Sequence, residues 1–354
     1  MTLCRCLTTA STSIKQFGRS RRIYERTRSV DPFARVSLGG TDVTVTRLGM
    51  GLAPIGGLYS AVGDRTAVAA VDEAWQRGVR FFDTAPLYGA GLSERRAGTA
   101  LRERPRDCYT LATKVGRRLA PGRPDPADIW AEADETVLTW DFSADGVYSS
   151  LHESRERLGV DRIDILHLHD PDDHFEAAAG EALPALVRLR REGVIGAVSA
   201  GMNRSAMLTA FARTGQFDCF LLAGRYSLLD QSGLADLLPE CGRRGVSVIV
   251  GGVYNSGVLA DPVPGATYDY RPAAPNVVAR AQAMERLCER YDVPLRAAAL
   301  QFPLGHPAVA SVLVGMRSPE EAADAAAMAS VKIPGGLWRD LVAAWLLDPE
   351  VPVP

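Results

Sequence analysis

Four side chains invite a chemical reading before any fold is assigned. Asp83 and Tyr88 lie in FFDTAPLYG (81–89), Lys114 in LATKVG (111–116) and His169 in DILHLHDP (164–171). A buried ammonium without a partner is costly, so Lys114 calls for an acid, and Asp83 is the candidate. A phenol beside that pair has a consequence. The nearby cation should favour phenolate and lower the tyrosine pKa from its ordinary value of about 10. Tyr88 would then act as general acid or base near neutral pH, with His169 polarising or hydrogen-bonding the same substrate oxygen. The competing reading makes Tyr88 an aromatic latch that only packs its loop.

His167 and His169 are two residues apart, so in a strand they share a face, and HLHDPDDH (167–174) raises the question of a metal site. A metal-dependent barrel would need further ligands from later strands. Outside that run the only histidines are His152 and His306. No metal is expected, and His167 reads as a core or supporting residue.

The elements that must position these groups alternate along the chain. Short apolar runs fall near residues 47–53 and at 79–84, 108–116, 164–170, 193–201, 219–224, 246–252 and 309–315, with helical segments between them. Near-continuous apolar strands separated by helices imply a parallel sheet covered on its faces. Eight such units in one chain fit a closed (β/α)8 TIM barrel, in which strand carboxyl ends converge on one rim. Ahead of them, VSLGGTDVTVTRLG (36–49) has hairpin chemistry around its Gly-Gly-Thr-Asp. Ser318-Pro319-Glu320-Glu321 reads as a helix start. Asp64 opens the first outer helix, with Val68, Val71 and Trp75 at helical spacing. Three connections exceed simple turns: 117–141 after strand three, 255–275 after strand seven, and the tail beyond Ile333. Such segments are usually functional or disordered.

Bulk properties narrow the class. A hydrophobic content of 47% and a formal charge of -2 describe an ordinary globule with no basic excess for nucleic acid. No apolar stretch is long enough to span a bilayer. Cys4, Cys6, Cys108, Cys219, Cys241 and Cys288 form no regular framework, which fits free thiols in a reducing cytoplasm. The Arg- and Ser-rich start has no acid before Glu25. Residues 1–32 therefore read as a disordered extension, with a targeting peptide as the alternative, and 33–354 as one barrel domain.

Taken together, FFDTAPLYG, LATKVG and DRIDILHLHDP resemble the aldo-keto reductase family, with Asp83, Tyr88, Lys114 and His169 falling on its catalytic tetrad. The resemblance runs from about Val36 onward. It implies a nicotinamide dinucleotide, NAD or NADP, bound across the rim. It places the carboxamide at Gly201, Met202 and Asn203, and the adenosine end at Gly315, Met316, Arg317 and Asp324. Gly251 stands where the family has a nicotinamide-stacking aromatic, and Tyr254 is the candidate replacement. Glu321 stands where an arginine commonly reads the 2′-phosphate, which leans the reading toward NAD.

LLAGRYSLLDQ, GGVYNSGVLA and PGATYDYRPA are similar to the branch containing L-fucose dehydrogenase, D-threo-aldose 1-dehydrogenase and pyridoxal 4-dehydrogenase. That similarity implies a small-molecule substrate: an aldose oxidised at C1 to the lactone, or pyridoxal through its hemiacetal. Trp130, Trp140 and Phe142 are candidate platforms for a sugar ring, with core packing as the alternative. Reduction of aldehydes or ketones with NADPH, and a non-catalytic nucleotide-sensing barrel, are the other readings. Monomer and homodimer stay open.

Overall fold

The computed structural model describes residues 31–123, 129–132 and 136–354. Residues 1–30, which make up nearly all of the expected N-terminal extension and include Cys4 and Cys6, lie outside the described residues. β1 (Arg35–Ser37) and β2 (Thr44–Thr46) pair antiparallel as the expected hairpin. Its buried Leu38 and Val45 join Phe81, Ile165, Leu221 and Ile249 in one apolar cluster. The hairpin therefore plugs the interior enclosed by the later strands.

The barrel strands come next: β3 (Leu48–Gly51), β4 (Phe81–Asp83) and β5 (Thr110–Val115). A hairpin of β6 (Arg117–Pro121) and β7 (Thr136–Trp140) intervenes before β8 (Ile163–His169) and β9 (Ile195–Met202). β10 (Cys219–Ala223) and β11 (Ser247–Gly251) lead to a small hairpin, β12 (Thr267–Tyr268) with β13 (Arg271–Pro272), and then β14 (Val309–Gly315). Strands β3, β4, β5, β8, β9, β10, β11 and β14 close into a barrel, parallel throughout. Every residue of β5 and β8 is buried, as strands covered on both faces must be. All eight expected strands are found.

The outer layer adds detail to the expected helices. The helix Asp64–Gln76 opens at Asp64 as expected; its fully buried stripe is Ala67, Ala70, Val71 and Ala74, with Val68 and Trp75 packed against the core beside it. Small residues let the helix approach the sheet, while Trp75 is half-buried under the Arg80 guanidinium, 3.8 Å from its ring centroid. The tail beyond Ile333, expected as a long connection, is an ordered element instead. It forms the helix Gly335–Ala343, which buries Leu337, Trp338 and Leu341. Each such fully buried apolar side chain contributes roughly 1.5–3 kcal/mol, so this segment is docked into the fold. The helix Pro319–Ser330 starts as read, with Ser318 Oγ accepting from the Glu321 N–H at 3.3 Å.

Candidate active site

Strand register brings the reactive groups together. Asp83 ends β4, Lys114 pairs with His167 across β5 and β8, and His169 ends β8 beside Gly201 of β9. Lys114 Nζ donates to Asp83 Oδ2 at 2.6 Å and to the Thr84 carbonyl at 2.8 Å, and both side chains are almost wholly buried. His167 Nδ1 and Ser199 Oγ are 2.8 Å apart, and His167 Nε2 lies 3.3 Å from Asp83 Oδ1 without the alignment of a hydrogen bond. One carboxylate thus faces an ammonium on one oxygen and an imidazole on the other.

Tyr88 is carried on the tight turn after β4. Gly89 takes φ +60, and a Cβ there would meet the Gly56 carbonyl oxygen at 2.1 Å, so only glycine lets the two loops touch. Ser93 fastens the turn, donating its N–H to the Tyr88 carbonyl at 3.1 Å and its hydroxyl to the Leu52 carbonyl at 2.8 Å. The Tyr88 ring then sits over Lys114, with Nζ 4.6 Å from its centroid, and edge-on to His169 at 6.0 Å.

The electrostatics overturn one expectation. Burial pushes the Tyr88 phenol up, Lys114 pulls it down and Asp83 pushes it up again, leaving it at about 12 rather than below its ordinary value. The ammonium is already neutralised by Asp83, so its pull on the phenol is partly spent. Burial also disfavours charge on Asp83 and Lys114, but each partner outweighs it: the acid stays below its ordinary range and the lysine above its own. Burial, aided by Arg117 and Lys114, holds His169 well below the ordinary histidine value. The free site therefore presents a neutral phenol and a neutral imidazole over a charged pair.

Rim segments build walls above this floor. Tyr59 N–H donates to the Ile129 carbonyl at 2.8 Å, and Ala131 N–H to the Gly57 carbonyl at 2.9 Å. Glu132 accepts from the Val62 N–H at 3.0 Å and from Arg96 at 3.2 Å. These bonds bring Trp130 over Tyr88, with ring centroids 5.5 Å apart. Trp140 stacks on Phe142 at 6.0 Å, and His174 packs against both. Arg117 lies 4.3 Å from the Trp140 centroid and donates to Asp170 Oδ2 at 2.7 Å. Of the candidate platforms, Trp130 meets Tyr88 directly and Trp140 is half exposed, while Phe142 is buried against Gly116.

The residues expected to hold the dinucleotide lie at the ends of β9, β11 and β14 and just beyond them. Gly201, one residue before the end of β9, and Gly251, which ends β11, flank Leu221, and a Cβ on either would stand 3.4 Å from that side chain. Two glycines there leave a low floor that a flat ring could fill. Met202 is buried and Asn203 half-buried at the end of β9. Gly315 is exposed against Pro54, and Met316 is fully buried, so it offers only backbone. Arg317 donates its backbone N–H and its Nε to Glu321, at 2.9 and 2.7 Å. Asp324 pairs with Arg296 at 2.9 Å, and the Arg296 Nε is buried without a partner. Tyr254, the candidate for stacking, has Asp324 and Arg296 as its charged neighbours rather than any of the tetrad positions. These residues fit a nicotinamide dinucleotide.

A (β/α)8 barrel with an Asp, Tyr, Lys and His at its rim defines an oxidoreductase of the aldo-keto reductase class. The chain belongs to the aldo/keto reductase family, whose family model matches residues 47–344. It is 40% identical to D-threo-aldose 1-dehydrogenase from Pseudomonas sp over 86% of this chain and 95% of that one. It is 39% identical to pyridoxal 4-dehydrogenase from Microbacterium luteolum, over 88% and 97% respectively. A holo-form aldo-keto reductase from Bacillus halodurans superposes with a TM-score of 0.70 at 26% identity, covering 90% of this chain and 97% of that one. Aldo-keto reductases use nicotinamide cofactors. No helix among the described residues is long and apolar enough to cross a membrane.

Several rim residues escaped the sequence reading. Tyr59, Arg117, His174 and Tyr270 carried no periodic signal. Arg117 had a positional clue, three residues beyond Lys114 and just past the strand end, while His174 closed the HLHDPDDH run and Tyr270 lay in the long 255–275 connection.

Proposed function

We propose that the enzyme oxidises the C1 hydroxyl of a cyclic aldose to the lactone, with NAD as the preferred acceptor. A bound oxidised nicotinamide supplies the hydride acceptor, held along Gly201, Asn203, Gly251, Gly315 and the start of the helix Pro319–Ser330. Tyr88 oxygen takes the proton of the C1 hydroxyl as the C1–H bond breaks and its electron pair departs. His169, neutral, holds the same oxygen by a hydrogen bond. Lys114, fixed by Asp83, stabilises the charge on the phenolate that performs the abstraction. The observation that carries this reading is the buried Lys114–Asp83 pair, 2.6 Å long, beneath the Tyr88 ring.

The NAD preference rests on Glu321. Its carboxylate already occupies Arg317 through both backbone and side chain. A 2′-phosphate there would meet a negative charge and an engaged guanidinium. Likeness to an aldose 1-dehydrogenase supports the sugar, and an equal likeness to pyridoxal 4-dehydrogenase makes pyridoxal the nearest competitor. The four cysteines among the described residues are free thiols, three of them buried, which accords with the cytoplasm.

One observation favours a second reading. A phenol at about 12 is a ready acid at neutral pH and a scarce base, which suits carbonyl reduction. In the oxidative direction kcat/KM should therefore climb between about pH 7 and 9. The test is NADH and NADPH formation with L-fucose, D-arabinose, L-galactose and pyridoxal, with the product read by NMR. A lactone from one aldose supports the proposal. Turnover of pyridoxal alone, or only aldehyde reduction, would sink it.

A further inference from the structure

We infer that Glu132, through Arg96, is a positioning residue that sets the Trp130 face at its distance from Tyr88 and so decides how tightly a ring-form sugar is held there. The inference rests on the aldose reading and deepens it.

Two aromatic rings meet at the mouth from segments far apart in the chain. The Tyr88 and Trp130 planes are inclined by 31° with centroids 5.5 Å apart. Trp130 is only 8% exposed, although its neighbours Ile129 and Ala131 are both exposed. Its burial therefore comes from what the ring is laid against. The backbone does part of the placing, through an antiparallel bridge between Leu58 and Trp130 and the bonds of the Tyr59 and Ala131 N–H groups. A pairing this short is marginal in water by itself.

A charged side chain completes it. Arg96 Nη1 donates to Glu132 Oε2 at 3.2 Å and Nη2 to Oε1 at 3.3 Å, while the Val62 N–H donates to Oε2 at 3.0 Å. The guanidinium thus grips the carboxylate on both oxygens, a geometry that adds direction as well as energy. The Arg96 side chain is almost wholly buried, and it also donates to Asp64 Oδ1 at 2.8 Å and to the Ile55 carbonyl at 2.7 Å. Gly56, next to Ile55, is the residue that Gly89 of the Tyr88 turn packs against. Arg96 itself belongs to the helix Leu92–Leu101, which follows that turn. One buried guanidinium therefore refers both rings to a common point, Tyr88 through its turn and helix, Trp130 through Glu132. Asp64 and the Ile55 carbonyl still engage Arg96 when Glu132 is removed, so its charge is not stranded. What Glu132 adds is the place of Trp130, whose face suits the apolar C–H side of a pyranose or furanose.

Glu132→Ala, Trp130→Ala and the double variant test the assignment. The fluorescence lost on Trp130→Ala isolates this one ring, in the wild-type background and again in Glu132→Ala. Its emission should move to longer wavelength in Glu132→Ala, because the ring then meets water, while Tm falls by no more than about 3 °C. KM for a productive aldose should rise roughly 3–10-fold, the scale of one aromatic contact, with kcat within about twofold. Glu132→Gln keeps an acceptor for Val62 and Arg96 and should fall between. Once Trp130 is Ala, removing Glu132 should raise KM little further. An unshifted Trp130 emission would overturn the inference. So would KM effects of the two single variants that simply multiply, or a fall in kcat at constant KM. If the wild type oxidises no aldose, the reading of the reaction fails by itself. The emission is read without substrate, and it then judges Glu132 alone.

Discussion

The floor and the rim of this barrel are built by different means. On the floor, Asp83, Lys114, His167 and His169 are held by the register of three neighbouring strands and by one buried ion pair. Their backbones are ordinary strand, and the precision comes from the ladder. At the rim, position is imposed by strained turns. Of nine non-glycine residues with positive φ among the described residues, Tyr59, Asp170, Asn255, Ser256, Asp269 and Tyr270 stand on the segments around the mouth. Each is pinned by local hydrogen bonds or ion pairs. The floor supplies chemistry that one architecture can repeat, and the rim supplies selectivity that must be rebuilt for each substrate.

If that division holds, damage to the floor should be large and indifferent to substrate. Lys114→Met leaves the Asp83 charge buried opposite no ammonium, which should cost about 3–5 kcal/mol of stability along with turnover, read by urea unfolding. The sign with pH comes from the two shifts. Asp83 is held below its ordinary pKa, so its contribution is present above the unfolded value of about 4 and lost as pH falls through the folded one. Lys114 is held above its ordinary pKa, so its contribution is complete below about 10 and lost only as pH rises through the folded one. Burial without the ammonium raises the Asp83 pKa in the variant, so its deficit should grow as pH rises above about 4 and narrow in stronger acid. A deficit that does not change between about pH 4 and 7 would locate the stabilisation elsewhere.

His169→Ala should lower kcat by roughly 10²-fold, the usual effect of removing a donor to the reacting oxygen. Because His169 is held neutral, the wild-type pH profile should show no histidine limb near 6.5; finding one would contradict its assigned state.

Smaller effects belong to the rim. Arg225→Ala frees the β12–β13 hairpin and should raise KM for the aldose several-fold. The Arg225–Asp269 pair is partly exposed, and such pairs contribute about 0–1 kcal/mol, so Tm should barely move. A large fall in Tm with constant KM would make the pair a structural one. Smallest of all, Glu321→Gln releases Arg317 and should improve kcat/KM with NADP by a few-fold against NAD. No change in that ratio would remove Glu321 from cofactor choice.

The same contrast explains what could be read in the sequence. Barrel strands announce themselves as apolar runs, and a lone lysine or acid at the end of such a run is conspicuous, so Asp83, Tyr88, Lys114 and His169 were visible. The sense of the Tyr88 shift was not. It depends on how deeply the ring is buried and on how far Asp83 cancels Lys114, both three-dimensional quantities. The rim was opaque for another reason. Tyr59 and Tyr270 occupy left-handed backbone that tyrosine rarely adopts, so local propensity argues against the turns they form. Trp130 was legible as an aromatic but not as a neighbour of Tyr88, since its placement rests on hydrogen bonds to residues 57–62, some seventy positions earlier.

The central claim is that Tyr88 moves the proton above the Lys114–Asp83 pair. Its most direct test is the single-turnover rate of NADH formation from a productive aldose, in wild type and in Tyr88→Phe, with NAD affinity measured beside it. The account predicts a rate lower by about 10²–10⁴-fold at unchanged NAD affinity. A variant that transfers hydride within a factor of about three of wild type would show that Tyr88 only packs its loop.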